Sequence, residues 1–284
     1  MSCLPVIPWF DRVVIPAVSV MLILALESGN AGAQTFYMQP MPPEHVCLEL
    51  RYLRSDYATD ADQSAVSGVF DFSLGVRIDS KSAAQISIPI TSVQFGDGER
   101  ESAVGNIYIG VQRLIGGEGY RSSALSFGVF VPTAEKHDLT TYLTGLFANY
   151  CEMQKYMPSI LTIYTNYSFR YERPSGGIFG FEIGPSLYMP TGDNDGGGEL
   201  YIHYGFSGGV GVSGFRILTE LTGLFMLSWD SDEFSDRFVN ALTFGARWAG
   251  GPLQPGVFYK FYLKDYLNDT VDGVLGLEIA AALR

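Results

Sequence analysis

Charge is scarce in this sequence. Only 17% of its 284 residues are Asp, Glu, Lys or Arg, where about a quarter is usual, so much of the surface need not face water. The 18 Lys and Arg are outnumbered by 30 Asp and Glu, giving a formal charge of −12. No basic cluster forms that would neutralise phosphates, which excludes a nucleic-acid binder. Three cysteines exclude a disulfide-dense scaffold. Sustained Ala/Leu/Glu/Lys periodicity is absent, and with it a helical bundle. Long hydrophobic runs are missing after residue 34, where the longest is Ile279–Leu283, too short for a membrane-crossing helix.

What is present is apolar and aromatic. Hydrophobic residues make up 47%, aromatics 14%, and there are 33 glycines, a composition that rules out disorder and points to β-structure. The N-terminus reads as a signal peptide. The apolar stretch Val13–Leu26 follows Arg12, and Ala31-Gly32-Ala33 supplies small residues for a peptidase, so cleavage is expected before Gln34. A membrane anchor would need about 20 apolar residues, and this run is shorter and contains Pro16. The expected division is a signal peptide over 1–33 and an exported, acidic unit over 34–284.

That unit is dominated by alternation. Phe179, Phe181, Ile183, Pro185, Leu187 and Met189 alternate with Glu182, Gly184, Ser186 and Tyr188. Leu200, Ile202, Tyr204, Phe206 and Val210 oppose Tyr201, His203, Gly205, Ser207 and Gly209. Val257, Tyr259, Phe261 and Leu263 oppose Phe258, Lys260, Tyr262 and Lys264, and Val271, Leu275, Leu277 and Ile279 oppose Asp272, Gly276 and Glu278. This period of two predicts strands with one oily face and one polar or small face. Such segments fall at 46–54, 67–78, 83–93, 103–115, 121–132, 159–172, 177–190, 199–212, 214–229, 236–249, 255–264 and 270–283. Their even number suits a closed barrel, and the short and long connections between them alternate as turns and outer loops do in a membrane barrel. A soluble sandwich or lipocalin-like barrel would carry many Lys and Glu on its outer strand face. Here the acids gather in connections, as in Asp56/Asp60/Asp62, Asp97/Glu99/Glu101, Asp193/Asp195 and Asp230/Asp232/Glu233/Asp236. Tyr52, Tyr167, Phe169, Tyr171, Tyr188, Trp229, Trp248 and Tyr266 stand near strand ends, where amphipathic rings suit a membrane boundary. The fold class is therefore all-β, a transmembrane antiparallel up-and-down barrel of about twelve strands, placed in a bacterial outer membrane.

Phe130-Val131-Pro132-Thr133-Ala134-Glu135 and Tyr188-Met189-Pro190-Thr191-Gly192-Asp193 repeat a strand end that opens an outer loop. Proline ends the ladder there, and Thr and the acid favour a turn. With the stretches Ala103–Glu135 and Gly177–Asp193, this resembles the outer-membrane family named for the meta-cleavage pathway of phenol degradation, which carries a strand unit ending in Leu/Val-Pro-Thr-Gly-Asp. The resemblance implies a barrel that passes small, often aromatic or apolar, compounds, and it supplies no catalytic residues.

Candidate chemistry is thin. His203 and Ser207 share a face but lie about 13 Å apart along a strand, too far for nucleophile and base. His137-Asp138 sits in the longest loop, and Glu44, His45 and Cys47 leave any metal coordination incomplete. The stretch Thr191–Glu199 has the composition of a calcium loop without its bidentate Glu, and reads as an acidic hairpin tip. No catalytic, metal or cofactor site is expected. The alternation points Glu49, Arg51, Asp71, Arg77, Glu182, His203, Arg216, Glu220, Arg247, Lys260, Lys264, Asp272 and Glu278 inward, and their mixed signs suit either a pore lining or a set of cross-lumen ion pairs. The 133–158 connection, with Tyr142, Phe147, Tyr150, Met153 and Tyr156, is suited to fold inward as a constriction or to stand outside as an amphipathic helix. Cys47 and Cys151 are expected far apart, one near the periplasmic end and one in an outer loop, beyond bridging distance. The function expected is passive uptake of small molecules, with no enzyme activity; a lipid-modifying barrel and a non-conducting structural barrel are the alternatives. Expected partners are outer-membrane lipid, lipopolysaccharide, a small solute and the barrel-assembly machinery.

Overall fold

Alternation this regular along almost the whole chain leaves one economical solution, a sheet that closes on itself. The computed structural model describes residues 35–38, 46–58, 67–94, 99–118, 120–134, 139–191, 197–228 and 233–283. The signal peptide, His45, His137, Asp193, Trp229, the acids Asp60, Asp62, Asp97, Asp195, Asp230 and Asp232, and the centre of the calcium-like stretch lie outside the described residues.

Thirteen strand segments follow one another as antiparallel neighbours: β1 (Val46–Tyr57), β2 (Gly68–Arg77), β3 (Ser82–Val93), β4 (Glu101–Val104), β5 (Ile107–Glu118), β6 (Arg121–Val131), β7 (Ile160–Glu172), β8 (Gly177–Pro190), β9 (Glu199–Val212), β10 (Phe215–Met226), β11 (Phe238–Trp248), β12 (Leu253–Tyr262) and β13 (Val271–Leu283). Two of them are one stave of the wall. β4 pairs with the upper part of β3 and β5 with its lower part, separated by the break Gly105-Asn106, so the wall has twelve strands. β13 pairs with β1 from Val46↔Leu283 to Tyr57↔Val271 and closes the barrel. Closure pairs every strand on both sides, the condition for a sheet to stand in hydrocarbon.

Short turns and both ends of the wall share one rim. The tightest is Ser213-Gly214, where both residues have positive φ (49° and 85°), the geometry of a two-residue hairpin turn whose twist matches its strands. At the β2–β3 turn Asp79 accepts from the backbone N–H of Lys81 (2.7 Å) and Ser82 (2.8 Å), and these hydrogen bonds hold its carboxyl below the ordinary Asp value. From the opposite rim the β6–β7 connection runs through the helix α1 (Leu139–Ala148) and the 3₁₀ turn Tyr150–Lys155, and the β12–β13 connection through the short helix α2 (Asp265–Asn268).

The wall is inside-out relative to a soluble barrel. Ile109, Val111, Phe127, Phe179, Phe206, Ile217, Phe244, Val257 and Leu277 are exposed on its outer face, and the alternate residues are buried inside. The Val271 alternation fails at one point. A register shift at Asp56/Tyr57 opposite the start of β13 is a bulge, which switches the face that following side chains take. Val271 is thereby buried and Asp272 exposed, the reverse of the simple pattern.

Candidate functional site in the barrel lumen

Glu182, His203, Glu220, Arg247, Lys260 and Glu278 all point into the lumen and are buried; Glu49 and Arg51 point inward as an ion pair at 2.8 Å. Three expected lumen charges do not. Arg77 is exposed at the turn rim, Lys264 binds Asp236 at 2.8 Å in the outer loops, and Asp272 faces out at the bulge. Arg216 sits at the turn rim, paired with Glu172 at 2.8 Å. Conversely Tyr188, read as a boundary ring, is buried inside the barrel, because its place in β8 alternates with the lipid-facing Leu187 and Met189.

Three strands are tied by a hydrogen-bond chain. Ser186 Oγ lies 3.1 Å from His203 Nδ1, and His203 Nε2 lies 3.2 Å from Asn166 Oδ1. Asn166 Nδ2 donates to Ser168 Oγ at 3.0 Å and Glu182 Oε2 at 3.1 Å. The tautomer with the proton on Nε2 satisfies every link, since Nδ1 then accepts from Ser186. The connectivity is that of nucleophile, base and orienter, and it joins His203 to Ser186 across strands rather than to Ser207 along one. Yet Ser186 is 2% exposed, the imidazole is capped by the Tyr164 ring at 4.4 Å, and neither Ser186 nor His203 borders the lumen cavity. The hydrogen-bond chain braces β7, β8 and β9 against one another.

Two segments that are not wall fill the space between these side chains. The first is the β6–β7 connection. Its α1 and 3₁₀ turn lie inside the barrel, as the inward-folding alternative has it. Lys155 Nζ binds Asp71 Oδ2 at 2.5 Å and Glu152 Oε2 at 3.0 Å, and Ser87 Oγ donates to the same Asp71 carboxylate. Gln154 accepts from Tyr188 Oη at 2.7 Å. Lys260 Nζ donates to the carbonyl of Ala148 at 2.6 Å, while Tyr262 Oη donates to that of Phe147 at 2.9 Å. The break in the wall is the anchor point: Asn106 donates from its backbone to Lys155 O and from Nδ2 to the carbonyls of Gln154 and Met157. A Cβ on Gly105 would stand 2.3 Å from Lys155 O, so glycine is what lets the loop backbone come this close. Thr133 has a defined task here. Its Oγ1 donates to Gly105 O at 2.6 Å and accepts from Ile107 N at 3.1 Å, bridging the gap in the ladder. Thr191 continues past Pro190 by donating to Ser159 O at 2.8 Å. Cys151 travels inward with its loop, close to Thr222 O, so it is not at the outer surface; both Cys47 and Cys151 are free thiols.

The second segment is Thr35–Met38, which lies inside the barrel beneath the loop. Glu220 accepts three of its backbone N–H groups, from Phe36 (2.8 Å), Tyr37 (2.9 Å) and Met38 (3.4 Å). Arg247 donates to Thr35 O at 2.8 Å and also binds Glu278. A buried carboxylate and a buried guanidinium thus find partners in a peptide backbone. The sequence held no sign of this, because hydropathy says nothing about which segment of chain a carboxylate will grip. Among the described residues, a cavity of about 60 Å³ is bounded by Tyr37, Met38, Arg51, Asp71, Tyr108 and Tyr164. That is room for about two waters.

No family model matches the sequence, and no curated protein matches it. Among solved structures, the chain is similar to an outer membrane channel from Pseudomonas putida F1, with a TM-score of 0.60, 13% identity, and 87% of this chain and 97% of that one covered. It is also similar to the NanC porin, with a TM-score of 0.50, 9% identity, and 84% and 99% covered. At such identities the likeness is one of fold. The chain has the fold of an outer-membrane β-barrel.

Proposed function

We propose that the barrel is a passive channel for small molecules across the outer membrane, favouring apolar or aromatic solutes. The observation that carries this reading is how the lumen is closed. Between the inward side chains of the wall lie a loop and the segment Thr35–Met38, both docked by hydrogen bonds, an ion pair and ring contacts rather than by strand pairing. A structural barrel needs no such inserted filling, because its own side chains can pack a narrow interior. The preference for apolar and aromatic solutes rests on the resemblance to the phenol meta-pathway family and on the rings that border the lumen, among them Tyr37, Tyr108, Phe130 and Tyr164. The charged lumen residues Glu49, Arg51, Glu182, Glu220, Arg247, Lys260 and Glu278, with the neutral His203, are then a lining of mixed sign, without strong selection for one ion charge.

The same reading has residues 1–33 removed on export, the assembly machinery inserting the remainder, and the acidic loops meeting lipopolysaccharide. It assigns no catalytic step. Purified barrel in liposomes tests it: swelling in small aromatic and sugar solutes should exceed that of empty liposomes. Absence of flux for every solute would overturn the channel, and turnover of phospholipid would make it an enzyme.

A further inference from the structure

The segment Thr35–Met38 is more than a spacer, because the surroundings of its two rings are shaped for rings. Phe36 is fully buried with its centroid 4.8 Å from that of Phe258, and the Arg247 guanidinium lies 4.9 Å over its face. Tyr37 meets the edge of Phe258 at 5.3 Å and carries Lys260 Nζ at 4.2 Å and Arg51 at 5.4 Å over its ring. Basic groups over aromatic faces are attracted by the ring quadrupole. The wall is hollowed to match. A Cβ on Gly245 would stand 2.5 Å from Phe36, and one on Gly205 2.9 Å from Met38. The fit is nevertheless incomplete at several polar atoms, among them Tyr37 Oη and Arg247 Nε and Nη1. Tyr37 Oη is buried and has no hydrogen-bond partner among the described residues, the mark of a group placed in a site that it does not fully satisfy.

We propose that Phe258, Arg247, Lys260 and Arg51 form a binding site for aromatic rings in the lumen, that the chain's own Phe36 and Tyr37 occupy it, and that a small phenol-like solute enters by displacing them. As a step in transport this rests on the channel reading; as a site it stands without it. The energetics suit a reversible occupant. The backbone of the segment is held by one carboxylate and one guanidinium, and its side chains by contacts that a free ring reproduces. A seated segment competes with solute, so a plug in place nine-tenths of the time weakens apparent solute affinity about tenfold. Its departure also removes Tyr37 and Met38 from the boundary of the 60 Å³ cavity, which in its present size is below the roughly 150 Å³ that holds a benzene ring.

The probe is 4-methylphenol, the Tyr37 side chain as a free molecule, and its binding to purified barrel is followed by ligand-observed NMR. Phe36→Ala/Tyr37→Ala should bind it about tenfold or more tightly than the unaltered chain, and adding Phe258→Ala should abolish the gain. Glu220→Gln, which weakens the grip on the backbone while leaving both rings in the chain, should give a smaller gain in the same direction and a higher conductance in planar bilayers. Heat-modified gel migration identifies the variants that are folded. Folded variants that bind 4-methylphenol no better than the unaltered chain would overturn the site. Tighter binding with no solute flux in any variant would keep the site and overturn the channel reading. Solute flux that is equal in all variants, with equal binding, would keep the channel and overturn the plug.

Discussion

Arg247 shows how a single inward residue acquires its meaning. Its neighbours in β11, Ala246 and Trp248, face lipid, and that alternation alone turns the guanidinium inward. Once inside it is beyond the reach of water and must be matched: Glu278 supplies the charge and Thr35 a carbonyl. Removing one partner of a buried pair leaves the other charge uncompensated, at a cost of about 3–5 kcal/mol. Glu278→Ala should therefore lower the midpoint of urea unfolding by that equivalent, whereas Glu172→Ala, which breaks the half-buried pair with Arg216 at the rim, should change it by less than about 1 kcal/mol. Equal losses would mean that the inner pair is solvated. His203 follows the same logic. Along its own strand His203 has only the distant Ser207, whereas its partners are Ser186 in the adjoining β8 and Asn166 in β7, one strand further on, and residues so placed are brought together only by register.

The β6–β7 connection is the element whose place was least legible. Its composition, aromatic and nearly free of charge between Leu139 and Tyr150, suited burial in the lumen and an amphipathic outer helix equally. What decides between them is a set of contacts from distant strands, namely Asp71 of β2, Asn106 at the wall break, Tyr188 of β8 and Lys260 of β12. The ion pair is the strongest of these. Burial by itself lowers the Lys155 ammonium, but the carboxylates of Asp71 and Glu152 outweigh it and hold the group above the ordinary value of 10.5. A raised lysine stabilises the docked loop at every pH below its unfolded value and loses that contribution only as pH climbs through the folded one, so the clamp is intact throughout the neutral range. Cys151 reports on it. Burial pushes this thiol up to about 11, leaving it protonated and shielded from thiol reagents. In a Cys47→Ser background, Lys155→Met should raise the rate of Cys151 labelling at neutral pH by at least about tenfold, the effect of losing about 1.4 kcal/mol of docking free energy. An unchanged rate would show that the loop is held by its apolar packing alone.

As a whole the molecule is a wall with oil outside and charge inside, and this polarity is itself measurable. Arginine on the lipid face of a barrel costs about 2–4 kcal/mol near the bilayer midplane and about 0–1 near its boundary. Phe206, central in β9 and exposed to lipid, and Val212, at the turn rim of the same strand and equally outward, make a matched pair. Phe206→Arg should impair folding into liposomes by the larger amount and Val212→Arg by the smaller. Equal tolerance at both positions would mean that this face does not meet lipid.

The order of residues alone settles the all-β class, the twelve staves and, nearly residue for residue, which side chains face which way. These follow from a local fact: successive side chains of a strand point to opposite faces, so lipid and lumen write themselves into the chain as a period of two. One bulge at Asp272 is enough to break that inference locally, because it depends on how two strands pair. Everything inside the barrel was left to folding. Whether the lumen is open, which loop enters it, and that Glu220 grips a backbone segment from the far end of the chain are matters of contacts between residues remote in sequence. No periodicity encodes such contacts, and only closure of the wall brings the partners within hydrogen-bond distance.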